Sequence, residues 1–109
     1  MVSESHETPK FLYKVLSEKH WTDSQQNKVV MLSDMDDDFI HLSKEDQLDR
    51  IIHKYWANVP KIIVLKLDTT KLQGEMVYEA NPGGLSKYYH LYKGVIPLSS
   101  VAEVKVIER

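Results

Sequence analysis

The chain is 109 residues long, enough for one domain with a hydrophobic core and too short for two. Its 14 Lys and Arg against 16 Asp and Glu give a formal charge of -2, which argues against the basic stripe of a phosphate-backbone interface and for a small ligand over a nucleic acid. The lack of cysteine excludes a disulfide framework and a thiolate zinc site. No apolar run approaches ~20 residues and no charged-then-apolar leader opens the chain, so a soluble cytoplasmic protein with no membrane span is expected.

Residues 1–9 are polar with little to bury, and a frayed terminus is expected there. Phe11, Tyr13 and Val15 alternate with Leu12, Lys14 and Leu16 as a first strand. Ser17 can cap a short helix running to about Gln26, mostly solvent-exposed, with His20 and Trp21 inside it. Val29 to Leu32 is a short apolar run that fits either a strand or a helical turn. Asp34, Asp36, Asp37 and Asp38 follow. A calcium loop would need a turn glycine that this run lacks, so the aspartates read as a solvated acidic loop leading into the next strand.

Phe39, Ile40 and Leu42 suit a short buried strand, and Ser43 is placed to cap a helix by accepting from the amide of residue 45 or 46. That junction would set His41 near a helix N-terminus, where an anionic group is favoured. Leu48, Ile51, Ile52, Tyr55 and Trp56 recur with helical spacing, and Asn58 and Pro60 stop the helix. Residues 61–68, Lys-Ile-Ile-Val-Leu-Lys-Leu-Asp, give the strongest strand signal and predict a central strand buried on both faces. Thr69 to Gly74 reads as a turn, Glu75 to Ala80 as a strand, and Asn81-Pro82-Gly83-Gly84 as a breaker opening a mobile loop to Lys87. Tyr88 to Tyr92 forms a further strand, Pro97 to Ser100 a turn or 3₁₀ segment, and Val101 to Ile107 a closing strand. Six short strands with helices in the first half predict an α+β fold, a mostly antiparallel sheet partly covered by two helices.

His41, Glu79 and His90 each interrupt an apolar stretch. A single strand histidine is more often a hydrogen-bonded structural residue than a catalyst. Taken together with Tyr78, Tyr88, Tyr89 and Tyr92, the three resemble a small-ligand pocket with aromatic walls and a few convergent polar groups. As a two-histidine, one-carboxylate set they would suit iron or zinc, but no local ligand spacing supports a metal and none is expected. Two histidines also predict a ligand affinity that changes between about pH 5.5 and 7.5.

The run Phe39-Ile40-His41-Leu42-Ser43 with Gln47, the strand ending in Leu67-Asp68 with Leu72, the Tyr78-Glu79 pair, and His90-Leu91-Tyr92 with Pro97-Leu98 resemble a known family. It is the set of small bacterial and plant proteins grouped as domain of unknown function 952, and the resemblance covers about residues 13–104. That family is similar in fold to the ADP-ribosyltransferase superfamily, whose split antiparallel sheet grips NAD. The resemblance implies a cleft for NAD or a related nucleotide, with ADP-ribose transfer or hydrolysis as its activity; a non-catalytic nucleotide-binding module is the alternative. His41 would bind the nicotinamide-side ribose with Ser43 beside it. Glu79 would bind the 2′-hydroxyl and stabilise positive charge at C1′, and Tyr78, Tyr89 or Tyr92 would stack on nicotinamide; His90, which has no counterpart in that superfamily, is expected to join the catalytic group through chemistry peculiar to this family. Two departures stand out: Asp38 replaces a glycine of the family pattern, and Tyr88-Tyr89-His90-Leu91-Tyr92-Lys93 replaces Phe-Pro-His-Leu-Tyr-Gly.

Overall fold

A computed structural model of the chain describes residues 8–32, 36, 38–80, 84 and 86–108. Six strands and two helices alternate along them: β1 (Phe11–Ser17), α1 (Glu18–Ser24), β2 (Ile40–Leu42), α2 (Leu48–Tyr55), β3 (Lys61–Asp68), β4 (Gln73–Ala80), β5 (Lys87–Val95) and β6 (Val101–Glu108). Every strand pair is antiparallel, and the strands form two sheets of three, in the orders β1-β3-β6 and β2-β5-β4. The α+β class and the two helices agree with the sequence reading. Among the described residues one backbone pair links the two sheets: Tyr13 and Ser43 exchange hydrogen bonds of 2.8 and 2.9 Å.

The β-branched run of β3 takes the central place in its sheet because it can be buried on both faces. Ile62, Ile63, Val64, Leu65 and Leu67 are all at most 5% exposed, and each such side chain is worth about 1.5–3 kcal/mol when removed from water. Ile63, Leu65 and Leu67 pack with Leu12 and Leu16 of β1 and with Ile40, Leu42, Tyr89 and Leu91 of the second sheet, forming the main core. On the other face of β3, Ile62 and Val64 join Val15 under the apolar stripe of α2, through Leu48, Ile51, Ile52 and Trp56. Trp21 of α1 and Leu98 close the main core at its margin.

Several local readings change. Ser17 caps α1 as expected, accepting from the His20 amide at 3.1 Å, but the helix ends at Ser24 and turns Ser24 and Trp21 inward. Ser43 does not cap the second helix. Its backbone is committed to Tyr13, and the helix starts one residue later as a 3₁₀ turn, Glu45–Gln47, in which the Gln47 side chain accepts from the Lys44 amide at 3.0 Å. Val29 makes only an isolated bridge to Pro97, while Val30 is buried in the core. Asp36 is not solvated, its side chain being 4% exposed. The acidic positions Asp34 and Asp37, the breaker at Asn81 to Gly83 and most of the N-terminal stretch lie outside the described residues. Among the described residues, no helix is long and apolar enough to cross a membrane.

Candidate functional site

Alternation along the second sheet sorts the candidate residues onto two faces. Register sets His41 beside His90, His90 beside Val77, and Glu79 beside Tyr88, so His41, Glu79, Tyr88, His90 and Tyr92 share one face. Tyr78 and Tyr89 lie on the other, packed with the main core at a ring separation of 4.6 Å. The sequence reading grouped all of these around one pocket. The structure brings His41, Glu79, His90 and Tyr92 together and leaves Tyr78 and Tyr89 behind the sheet.

Phe39 organises the shared face. Its ring stacks on His90 at 4.0 Å and 29°, and lies 4.7 Å from the His41 ring and 5.1 Å from that of Tyr92. The two imidazoles meet edge to face at 5.4 Å. Glu79 Oε2 lies 2.8 Å from His90 Nδ1 and also accepts from the Tyr92 hydroxyl. Hydrogen bonds from Tyr92 and then His90 hold the Glu79 carboxyl below its ordinary value, and the same bond raises the Tyr92 phenol. Burial pushes the His90 imidazole down, against the pull of Glu79. At neutral pH the group is therefore a carboxylate held by a neutral imidazole and a neutral phenol. Because an ionised carboxylate only accepts, the His90 proton belongs on Nδ1. Both donors use Oε2, so Glu79 Oε1 is without a partner among the described residues.

A second charged group meets the first at His41. Asp36 Oδ1 accepts from the His41 amide at 2.9 Å, lies 3.1 Å from His41 Nδ1, and forms an ion pair with Lys14 Nζ at 2.8 Å. Lys14 Nζ also donates to the His41 carbonyl at 3.1 Å. Burial alone would raise the Asp36 carboxyl; the His41 hydrogen bonds and the Lys14 ammonium outweigh it and bring it down to about 2. Lys14 is itself lowered by burial, with Asp36 pulling the other way. Neither residue was singled out from the sequence. The signal for Lys14 was a charge between Leu12 and Leu16 on the core-facing side of β1, whereas Asp36 was concealed in a run of similar aspartates.

Beside His41 lies a cavity of about 280 Å³ between β1, β2 and α2. Tyr13, Tyr55, Trp56 and Tyr88 supply aromatic walls, and His20 and His41 supply imidazoles. Ser43, Lys14 and Asp36 also border it, while Glu79, His90 and Tyr92 stand outside. Ser17 Oγ lies 2.6 Å from His20 Nδ1, so the helix cap also fixes that ring. His41 is thus the residue shared by the cavity and the Glu79 group. Its ring, 38% exposed, has Nδ1 engaged and Nε2 without a partner among the described residues.

Comparison with known proteins agrees with this architecture. Crystal structures of protein CC0527 from Caulobacter crescentus, one of them a double mutant, superpose with TM-scores of 0.78 and 0.77 at 26% identity, over 90% of this chain and 86% of that one. The solution NMR structure of CC0527 gives 0.76 at 25% identity, over 92% of this chain and 86% of that one. No curated protein matches the chain. The profile of the family described as protein of unknown function DUF952 matches residues 15–104, most of the chain, and places it in that family.

Proposed function

We propose that this domain binds NAD or a related nucleotide in the cleft where its two sheets meet, in the manner of an ADP-ribosyltransferase, and that Glu79 is the carboxylate of a transfer or hydrolysis at the ribose C1′. The observation that carries this reading is convergence. His41, Glu79 and His90, separated by up to 49 positions, gather around Phe39 beside an aromatic-walled cavity.

The chemistry follows from the protonation states. With Nδ1–H given to Asp36, the Nδ1–H tautomer of His41 presents an Nε2 lone pair, which suits a ribose hydroxyl as donor. Glu79 is ionised and held from one side, so Oε1 can face a positive centre. As the C1′–N bond breaks, nicotinamide departs with the bonding pair, and positive charge develops at C1′ next to a fixed carboxylate that needs no reorganisation. Water or an acceptor hydroxyl then attacks C1′ through oxygen, forming the C1′–O bond and releasing its proton to solvent. The cavity, bordered by Tyr13, Trp56 and Tyr88, offers apolar surface for a planar ring.

The test combines thermal shift with turnover, because a ligand that binds only the native state raises the melting temperature. NAD should stabilise the native chain, and Glu79→Gln should abolish turnover while changing affinity by no more than a few fold. Stabilisation by NAD with no turnover by the native chain identifies a binding module. No stabilisation by any nucleotide overturns the reading.

A further inference from the structure

We propose that Asp36 and Lys14 act as positioning residues for His41, fixing its ring as the Nδ1–H tautomer so that Nε2 is kept as an acceptor for a ligand hydroxyl. The inference rests on the nucleotide reading for its consequence, but not for its geometry. Asp36 Oδ1 sits within hydrogen-bond distance of both the backbone amide and the ring Nδ1 of the same histidine, at 2.9 and 3.1 Å. Two bonds from one oxygen to one residue fix both the strand position and the ring torsion. Lys14 grips the other side of the same residue through the His41 carbonyl at 3.1 Å, and balances Asp36 at 2.8 Å. The three contacts surround His41 on the short strand β2, only three residues long, which by itself would hold a side chain loosely.

Chemistry sets the direction. An aspartate that stays ionised can only accept, so the bond to Nδ1 requires the proton there. A free imidazole prefers its proton on Nε2, which would turn the same ring from an acceptor into a donor. The arrangement is costly as pure structure, since two charges are buried to make it, and replacing such a pair by apolar side chains of similar volume is often neutral or stabilising. That cost is understandable where the pair holds a functional ring.

The same principle supplies a variant that separates positioning from folding. Lys14→Met combined with Asp36→Leu removes both charges together, so neither is left buried alone, while the His41 amide and carbonyl give up their side-chain partners. In the native chain, long-range ¹H–¹⁵N correlation of the His41 ring should show the proton on Nδ1. In the double variant it should move largely to Nε2, with a cooperative melt kept and NAD affinity reduced about tenfold, the loss of one good hydrogen bond. A native His41 protonated on Nε2, or a double variant that keeps both the Nδ1 proton and full affinity, overturns the proposal. Failure of NAD to bind the native chain overturns the nucleotide reading alone, and the tautomer measurement still decides what Asp36 and Lys14 do.

Discussion

Asp36 shows how much one buried carboxylate can carry. Its carboxyl falls from 3.8 to about 2, so between those values the folded chain binds fewer protons than the unfolded one. The associated stability is complete above about pH 4 and disappears as pH falls through 2, a loss of about 2 kcal/mol visible as a falling urea midpoint across that window. Removing Lys14 alone should be worse: Lys14→Met strands the Asp36 carboxylate in the interior and should cost about 3–5 kcal/mol at pH 7. Urea unfolding of the single and double variants checks this, the double variant losing less than Lys14→Met because no charge is left buried alone. A single-variant loss below about 1 kcal/mol would mean that solvent reaches the carboxylate. At this scale the sequence was a partial guide. His41, Glu79 and His90 were visible because a polar group inside an apolar strand has to be explained by a partner. Asp36 was not, because nothing in four aspartates among five positions says which one turns inward.

Among the elements, the β4–β5 hairpin fixes the distance from Glu79 to His90 and Tyr92, and its register depends on two glycines. The register shifts between Gln73 and Glu75, where Gly74 has φ +127°, and a Cβ on the facing Gly94 would stand 2.0 Å from the Gln73 carbonyl oxygen and 2.9 Å from Gly74 Cα. Backbone atoms cannot yield as a flexible side chain can. Gly94→Ala should therefore cost at least about 1–3 kcal/mol in chemical denaturation, and should weaken the Glu79 site without touching it. The neighbouring Lys93 occupies the left-handed region at φ +50°. Lys93→Gly should raise stability, by about 1 kcal/mol, and an unchanged or lower midpoint would show that the lysine side chain repays its strain. Strand and helix positions were legible because β3 is apolar throughout and α2 keeps a single stripe. The caps were less so: Ser43 has the chemistry of a cap, but its backbone is taken by a tertiary partner, Tyr13, that local sequence cannot announce.

For the molecule as a whole, what matters is how the two sheets are joined, through side chains in one shared core and through little backbone pairing. β3 and β5 are each hydrogen-bonded on both sides, whereas among the described residues the sheets share one backbone pair, Tyr13 with Ser43. The six strands could be read from periodicity, whereas a split sheet was implied by the family resemblance alone, since strand order is settled by long-range pairing. Tyr13 and Ser43 both border the cavity, and His41 is two residues from Ser43. The Tyr13–Ser43 backbone pair beside the cavity should open locally at lower free energy than the core unfolds. Native-state hydrogen exchange tests this amide by amide. Tyr13 and Ser43 should exchange well before Val64 and Leu65 of β3, and a nucleotide seated against His41 should slow the first pair selectively, since it contacts both walls of the cleft. If Tyr13 and Leu65 are equally protected in the free chain, the two sheets open only together with the entire fold, and entry to the cavity would have to come from movement of α2, whose Ile51, Tyr55 and Trp56 form its remaining wall.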